Sequence, residues 1–402
     1  MYYQKINTTI MKKDYIKSAK ITNLLGDSFN VETGKNVSRE NRLILGQYEI
    51  MGANGCIGYT NKYLINKKCI ITGRVGTIGG LSLINKKIWP SDNVLIISEK
   101  DHTNSIDFLY YYLKTVDFKT LNVGSTQPLI TQTDIKNLPI DFPPNNEQIK
   151  IAEILSSLDD KIELNRRIND NLEAVASALF KRWFIDFEFP DKNGQPYKNN
   201  NGKMLTSELG PIPDGWSINQ AQELFDFTKG IEPGNKNYTP IESEITIPFF
   251  RVADLFNGNQ SKTYINKSIA GTVITSNNDV LIATDGTVGR VATGLYGSYS
   301  GGIKKVISKD KSIGNSFIYF WLKSSIVQNK LKEYASSATT IAHASGAIKD
   351  LKIAYNKEII KKFCVLSQPI FEEIINNLSE NIKIKKVIDL LLPRLMSGKI
   401  KA

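Results

Sequence analysis

Between Pro143 and Phe189, apolar residues recur at alternating intervals of three and four: Ile151, Leu155, Leu158, Ile162, Leu172, Ala176, Leu179 and Trp183. That is the 3.5-residue period of a helix packed along a narrow seam, and it predicts a helix from about 146 to about 184. Pro143 and Pro144 stop it from starting earlier, and Asn145 or Asn146 can cap its first turn. At ~1.5 Å per residue such a helix runs on the order of 58 Å, which suits a strut better than the cover of a compact core. Two seam positions carry Asn165 and Asn169, which would cost stability but fix register against a partner, or else lie solvated on a twisted helix.

On either side of this helix the pattern is different. Residues 15–145 alternate short β-type runs, Lys68–Thr72 and Asn93–Ser98, with Gly- and Asn-rich turns, and Ser105–Val116 reads as an apolar helix. Pro190–Asp214 is rich in Pro, Gly and Asn and predicts an irregular connector. Residues 215–365 then repeat the first pattern: Gly76–Gly79 matches Gly286–Gly289, Phe108–Lys114 matches Phe317–Lys323, and Asp134–Ile140 matches Ala347–Ile353. The strut repeats as well, because Ile154, Leu158, Ile162, Ile168 and Leu172 correspond at one offset to Ile374, Leu378, Ile382, Ile388 and Leu392. A tandem duplication of globular domain plus helix follows, and these ten residues are the expected helix-pairing positions. The predicted boundaries are 1–145 for the first domain, 146–189 for the central strut, 190–213 for the connector, 214–366 for the second domain and 367–402 for the second strut. Globular domains at opposite ends of a rod require its helices to run antiparallel.

Charge sharpens this division. The net charge of +11 splits into 18 Lys and Arg against 12 Asp and Glu over 1–145, 9 against 11 over 146–213, 18 against 13 over 214–366, and 6 against 4 over 367–402. The positive excess sits mainly on the two domains, as expected if they face a polyanion. Three scattered cysteines and two histidines at His102 and His343 support neither a disulfide framework nor a metal site, so no metal and no cofactor is expected. No apolar run is long enough to span a membrane and no signal peptide opens the chain, which makes a cytoplasmic protein the expectation.

The motifs that would carry catalysis are missing. Gly73–Gly79 lacks the G-x-G-x-x-G spacing of a dinucleotide loop, no G-x-x-x-x-G-K-[ST] occurs, and neither a nuclease carboxylate cluster nor the Asn-Pro-Pro-aromatic motif of amino-methyltransferases is present. The chain reads as a binder. Its glycine turns are either tight turns needing positive φ or places where amides approach phosphate. Arg74 and Arg290 beside them suit base or phosphate contact, with a solvated arginine as the alternative. Thr77 and Thr287 lie within the turns. The polar loop with Ser125, Thr126, Gln127 and Thr131, its counterpart with Thr339 and Thr340, and the basic pair Lys304 and Lys305 complete the candidate DNA-binding residues.

Pro143-Pro144, Glu147-Gln148 and Ile151–Leu158, followed by Leu179–Asp186 (LFKRWFID), Ser207–Trp216 (SELGPIPDGW), Tyr48–Tyr59 with Gly73–Gly79, and Leu392–Ile400 (LPRLMSGKI), span nearly the whole chain. In their order and spacing the chain resembles the specificity subunit of type I restriction-modification systems. The resemblance implies an α+β protein, with two mixed α/β target-recognition domains in pseudo-two-fold tandem repeat, joined and separated by two long helices that form an antiparallel coiled coil. It further implies a non-catalytic subunit that recognises a bipartite double-stranded DNA target and docks two methyltransferase subunits, with a restriction subunit able to join. One departure is that the entry Pro213 to Trp216 has no counterpart before the first domain. The competing reading is a coiled-coil scaffold that binds RNA or single strands, for which stacking motifs are lacking.

Overall fold

The structure, a computed structural model, describes residues 23–75, 78–101, 103–121, 129–255, 261–336 and 346–402. It divides into two compact units, one of Met1–Asp159 with Val387–Ala402 and the other of Asp160–Lys386. A long helix spans Asn145–Phe184 and another spans Lys357–Met396, so each unit holds a stretch of both.

In the first unit, β1 (Phe29–Thr33), β2 (Tyr48–Gly52), β3 (Gly55–Thr60), β4 (Cys69–Gly73), β5 (Leu81–Ile84), β6 (Ile88–Pro90) and β7 (Val94–Glu99) form two sheets. One is antiparallel in the order β1-β7-β4-β5; the other, β3-β2-β6, contains a parallel β2–β6 pair. The runs Lys68–Thr72 and Asn93–Ser98 thus become β4 and β7, each within one residue of expectation. Side chains alternate across these strands. Ile70, Leu95 and Ile97 face Phe29, Val31 and helix α1 (Ile106–Thr115), while Cys69, Ile71 and Ile96 face Met51 and Ile88 of the other sheet. Ser105 caps α1 by accepting from the Phe108 amide, which starts the helix where its apolar periodicity starts. The sequence leaves the opening strand unplaced; among the described residues the first strand is Asn23–Leu24, paired with Pro139–Ile140.

The second unit has the same plan. Strands β8 (Phe225–Lys229), β9 (Thr246–Phe250), β10 (Tyr264–Asn266), β11 (Val280–Ala283), β12 (Val291–Ala292), β13 (Ser298–Tyr299) and β14 (Ile303–Ser308) give sheets β8-β14-β11-β12 and β10-β9-β13, the latter again with a parallel pair. Helix α2 (Asn315–Lys323) packs on the first sheet, and α3 (Ser325–Ser336) follows it. Both units need glycine at one crossing of the two sheets. A Cβ on Gly34 would lie 2.1 Å from the Ser91 carbonyl oxygen, and one on Gly230 2.1 Å from that of Ser300.

The predicted connector is less irregular than its composition suggests, since Met204–Leu205 pairs with Ile212–Pro213. Beyond it Trp216 packs against Phe184, Phe187 and Phe189, which closes the end of the first long helix. The second long helix begins at Lys357 and not at 367. Its earlier turns pass through Pro369, a residue that the sequence rules place at a helix start.

Within each unit the two long helices run antiparallel. In the first, Ile151, Ala152 and Leu155 meet Leu395, with Leu391 and Leu392 alongside. In the second, Asn165 donates to Asn381 at 2.9 Å and to Glu380 at 2.7 Å, and Asn377 donates to Asn169 at 2.9 Å. The seam asparagines therefore form amide layers. Ile162, Ile374 and Ile388 are buried and Leu158, Ile168, Leu172, Leu378, Ile382 and Leu392 half-buried. Ile154 lies off the seam at 38% exposure and Leu155 takes its place, because matching two repeats finds equivalent positions and not contact positions.

Candidate nucleic-acid interface

Among the described residues, Arg74 in one unit and Thr287 with Arg290 in the other lie at the same end of the four-stranded sheet. At the end of β4, Arg74 donates its amide to the Asn93 carbonyl at 3.0 Å, and its own carbonyl accepts from Ile130 at 2.9 Å. Val75 bridges to Leu129. The glycine turn and the loop before Thr131, separate in sequence, are thereby joined. Gly79 adopts φ 84°, the left-handed conformation that the tight-turn reading requires. Arg74 is half-buried, and among the described residues its Nε is buried with no hydrogen-bond partner. A guanidinium held this way is short of an acceptor.

Thr131 has a local duty. It caps the short helix Gln132–Lys136, its Oγ1 accepting from the Asp134 amide at 3.2 Å while the Asp134 carboxylate accepts from Thr131 N at 2.8 Å. Thr77, Ser125, Thr126 and Gln127 lie outside the described residues, as do Thr339, Thr340, His102 and His343.

In the second unit, the turn from β11 to β12 is closed by Gly289 N donating to the Ala283 carbonyl at 2.9 Å, with positive φ at Gly286 (68°) and Gly289 (90°). Thr287 is exposed at its tip. The turn is anchored from below by Gln328 of α3, which donates to the Gly289 carbonyl at 2.9 Å. Arg290 donates to the Val252 carbonyl at 3.4 Å, and the neighbouring Arg251 is paired with Asp254 at 3.1 Å.

The two adjacent lysines part company. Lys305 donates to the Ile274 carbonyl at 2.9 Å and pairs with Asp279 at 3.3 Å, an arrangement that ties two strand ends together. Lys304 points to the other face and is 6% exposed, near Lys229, Lys349 and Asp285. Burial first, then the two neighbouring lysines, depresses its ammonium below the usual lysine range, while Asp285 acts the other way. Thr284 and Asp285 both donate to the Gly302 carbonyl, which sets Lys304 beside the glycine turn. Lys229 and Lys349 escape sequence reasoning because nothing in their local pattern reveals this convergence. The structure thus places Thr287 and Arg290 on one turn, sets Lys304 opposite Lys229 and near Lys349 and Asp285, joins Arg74 to the Thr131 loop, and leaves Lys305 apart.

Each domain is also clamped to the first long helix. Tyr111 and Lys114 of α1 donate to Asp159 at 2.9 and 3.2 Å, and Tyr319 and Lys323 of α2 donate to Glu173. Among the described residues no group of three metal-ligating side chains occurs, and no helix is long and apolar enough to cross a membrane.

A family model described as the type I restriction modification DNA specificity domain matches residues 22–174 and 213–383. The type I restriction enzyme MjaIX specificity subunit of Methanocaldococcus jannaschii is 29% identical over 350 residues, covering 83% of this chain and 77% of that protein. The HindI specificity subunit of Haemophilus influenzae is 28% identical, covering 69% and 72%. Among solved structures, the type I restriction-modification S subunit from M. genitalium matches with a TM-score of 0.57 at 19% identity, covering 94% of this chain and 97% of that one, a likeness of fold.

Proposed function

The chain belongs to the family of type I restriction-modification specificity subunits, whose role is recognition of a DNA target, and on that premise we propose that its two domains each read one half of a split double-stranded target. The paired helices set the gap between the half-sites and dock two methyltransferase subunits, and a restriction subunit can join the assembly. The chain itself is proposed to carry no active site.

The observation that carries this reading is the duplicated interface: one sheet order, one glycine turn at the same sheet end, and an arginine beside it in each copy, Arg74 and Arg290. Two similar sheets that display different side chains at the same edge suit two different half-sites. Arg74, with its unsatisfied Nε, suits a guanine edge or a phosphate. The test is a shift assay on the full chain at several salt concentrations, with duplex and single-stranded competitors. Duplex binding that weakens steeply with salt and resists single-stranded competitor is expected. Preference for single strands or RNA would overturn the proposal in favour of a single-strand scaffold. Arg74→Ala and Arg290→Ala locate the contacts: a base contact costs about 1–3 kcal/mol and relaxes one target position, whereas a phosphate contact weakens all sequences alike.

A further inference from the structure

The two domains differ at one buried position of their central strand. In the first, Leu95 lies between Thr33 and Thr72 on the neighbouring strands, fully buried in the core with Phe29, Ile70 and Leu109. In the second, the same place in the same strand order belongs to Lys304, between Lys229 and Ile282. Leucine there completes a core. Lysine instead puts an ammonium group in a site 6% exposed, directly across from Lys229 and near Lys349, both of which are exposed.

Like charges opposite each other on adjacent strands repel, and a buried ammonium is tolerated only with compensation. Lys305 finds it in Asp279, whereas Lys304 forms no ion pair among the described residues. Asp285 is the carboxylate that acts on Lys304, against two lysines. Glu232 is engaged by the Gly301 amide at 2.9 Å. Lys229 leans over that glycine, its Cε 3.2 Å from where a Cβ would stand. The cluster of Lys304, Lys229 and Lys349 therefore sets three ammonium groups against the one carboxylate, Asp285, that acts on Lys304, and it carries an excess of positive charge.

We propose that Lys304, Lys229 and Lys349 form a seat for a backbone phosphate of duplex DNA, present in the second recognition domain and absent from the first. The proposal rests on the reading of the chain as a DNA-binding subunit. Lysine is a compact point charge without the planar fork that reads a base edge, and a side chain rooted in the sheet floor has little reach into a groove. The seat therefore positions the second domain on its half-site and adds no sequence information. It makes the second domain's hold on DNA more salt-dependent than that of the first.

The experiment compares the full chain with Lys304→Leu, which installs the residue of the first domain, and with the exposed-site variant Lys229→Ala, which leaves the core untouched. Duplex binding is measured from low to moderate salt on the cognate target and on random sequence, and melting temperature is recorded for each protein. In both variants the slope of log affinity against log salt should fall by about one, equally on both duplexes, with target preference kept. Lys304→Leu should melt no lower than the parent. Unchanged slopes in variants that still bind duplex would overturn the phosphate seat alone, as would a change in target preference. A drop in melting temperature for Lys304→Leu with an unchanged slope would make Lys304 structural. Parent protein that fails to bind duplex at any salt would remove the DNA-binding reading and the seat with it.

Discussion

Cys69 lies fully buried in β4, and burial pushes its thiol up to about 11 from an ordinary value of 9.0. Tyr299 and Tyr319 are raised by burial as well, Tyr319 further by the adjacent Glu173. For each, the folded chain keeps a proton that the unfolded chain would release. The stability that Cys69 contributes is complete below about pH 9 and is lost as pH rises through 9–11, while that of the two tyrosines is complete below about pH 10 and is lost at higher pH. Denaturant unfolding should therefore show a plateau around pH 8 and a fall of about 2–3 kcal/mol from Cys69 alone by pH 11. Cys69→Ala should flatten the first part of that fall, and an unchanged pH profile in the variant would contradict this assignment. At this scale the sequence is legible where a residue acts on near neighbours. The capping role of Ser105 follows from its place before an apolar run. The burial of Lys304 does not, since it follows from strand pairing that sets Lys304 between Lys229 and Ile282, residues far from it in the chain.

The two long helices are the most legible elements, because a 3.5-residue period sustained over forty residues has few alternatives to a paired helix. Even so, periodicity does not reveal which apolar positions touch, and Ile154 ends up exposed while Leu155 is buried. Nor does it fix the start of the second helix, whose early turns at Ile360 and Phe363 pack into the second domain's core and not along a seam. Gln148, in the motif that carried the family resemblance, turns out to be an anchor: it accepts from Ser105 N at 2.9 Å and donates to Asn104 at 2.7 Å and to the Pro143 carbonyl at 2.9 Å, fixing the first helix to α1. The asparagine layers provide the element's own test. Asn381→Leu leaves the buried Asn165 amide without its neighbour and should destabilise the chain by about 1–3 kcal/mol. Adding Asn165→Leu should recover most of that loss, because an apolar pair replaces a polar pair as a unit. A double variant as unstable as the sum of the two singles would mean that the two asparagines act independently.

At the scale of the whole molecule, duplication is the feature from which the proposed function grows. It is visible in sequence through Gly76–Gly79 and Gly286–Gly289, and in structure through two identical sheet orders. The surface that would distinguish the two half-sites is the least legible part, since loops that read DNA follow no periodicity. If the helices set the gap between half-sites, lengthening both by seven residues, at Asp159–Asp160 and at Lys386–Val387, keeps the seam on one face and adds ~10.5 Å. DNA advances ~3.4 Å per base pair, so the unspecified spacer should grow by about one to three base pairs. The measurement is sequence-resolved mapping of methylated bases in DNA modified by the methyltransferase complex containing either the parent or the lengthened chain. The expected result is a split target with two unlike halves, the halves unchanged and the spacer longer in the variant; a continuous target, or a lengthened chain that keeps the original spacer, would contradict it.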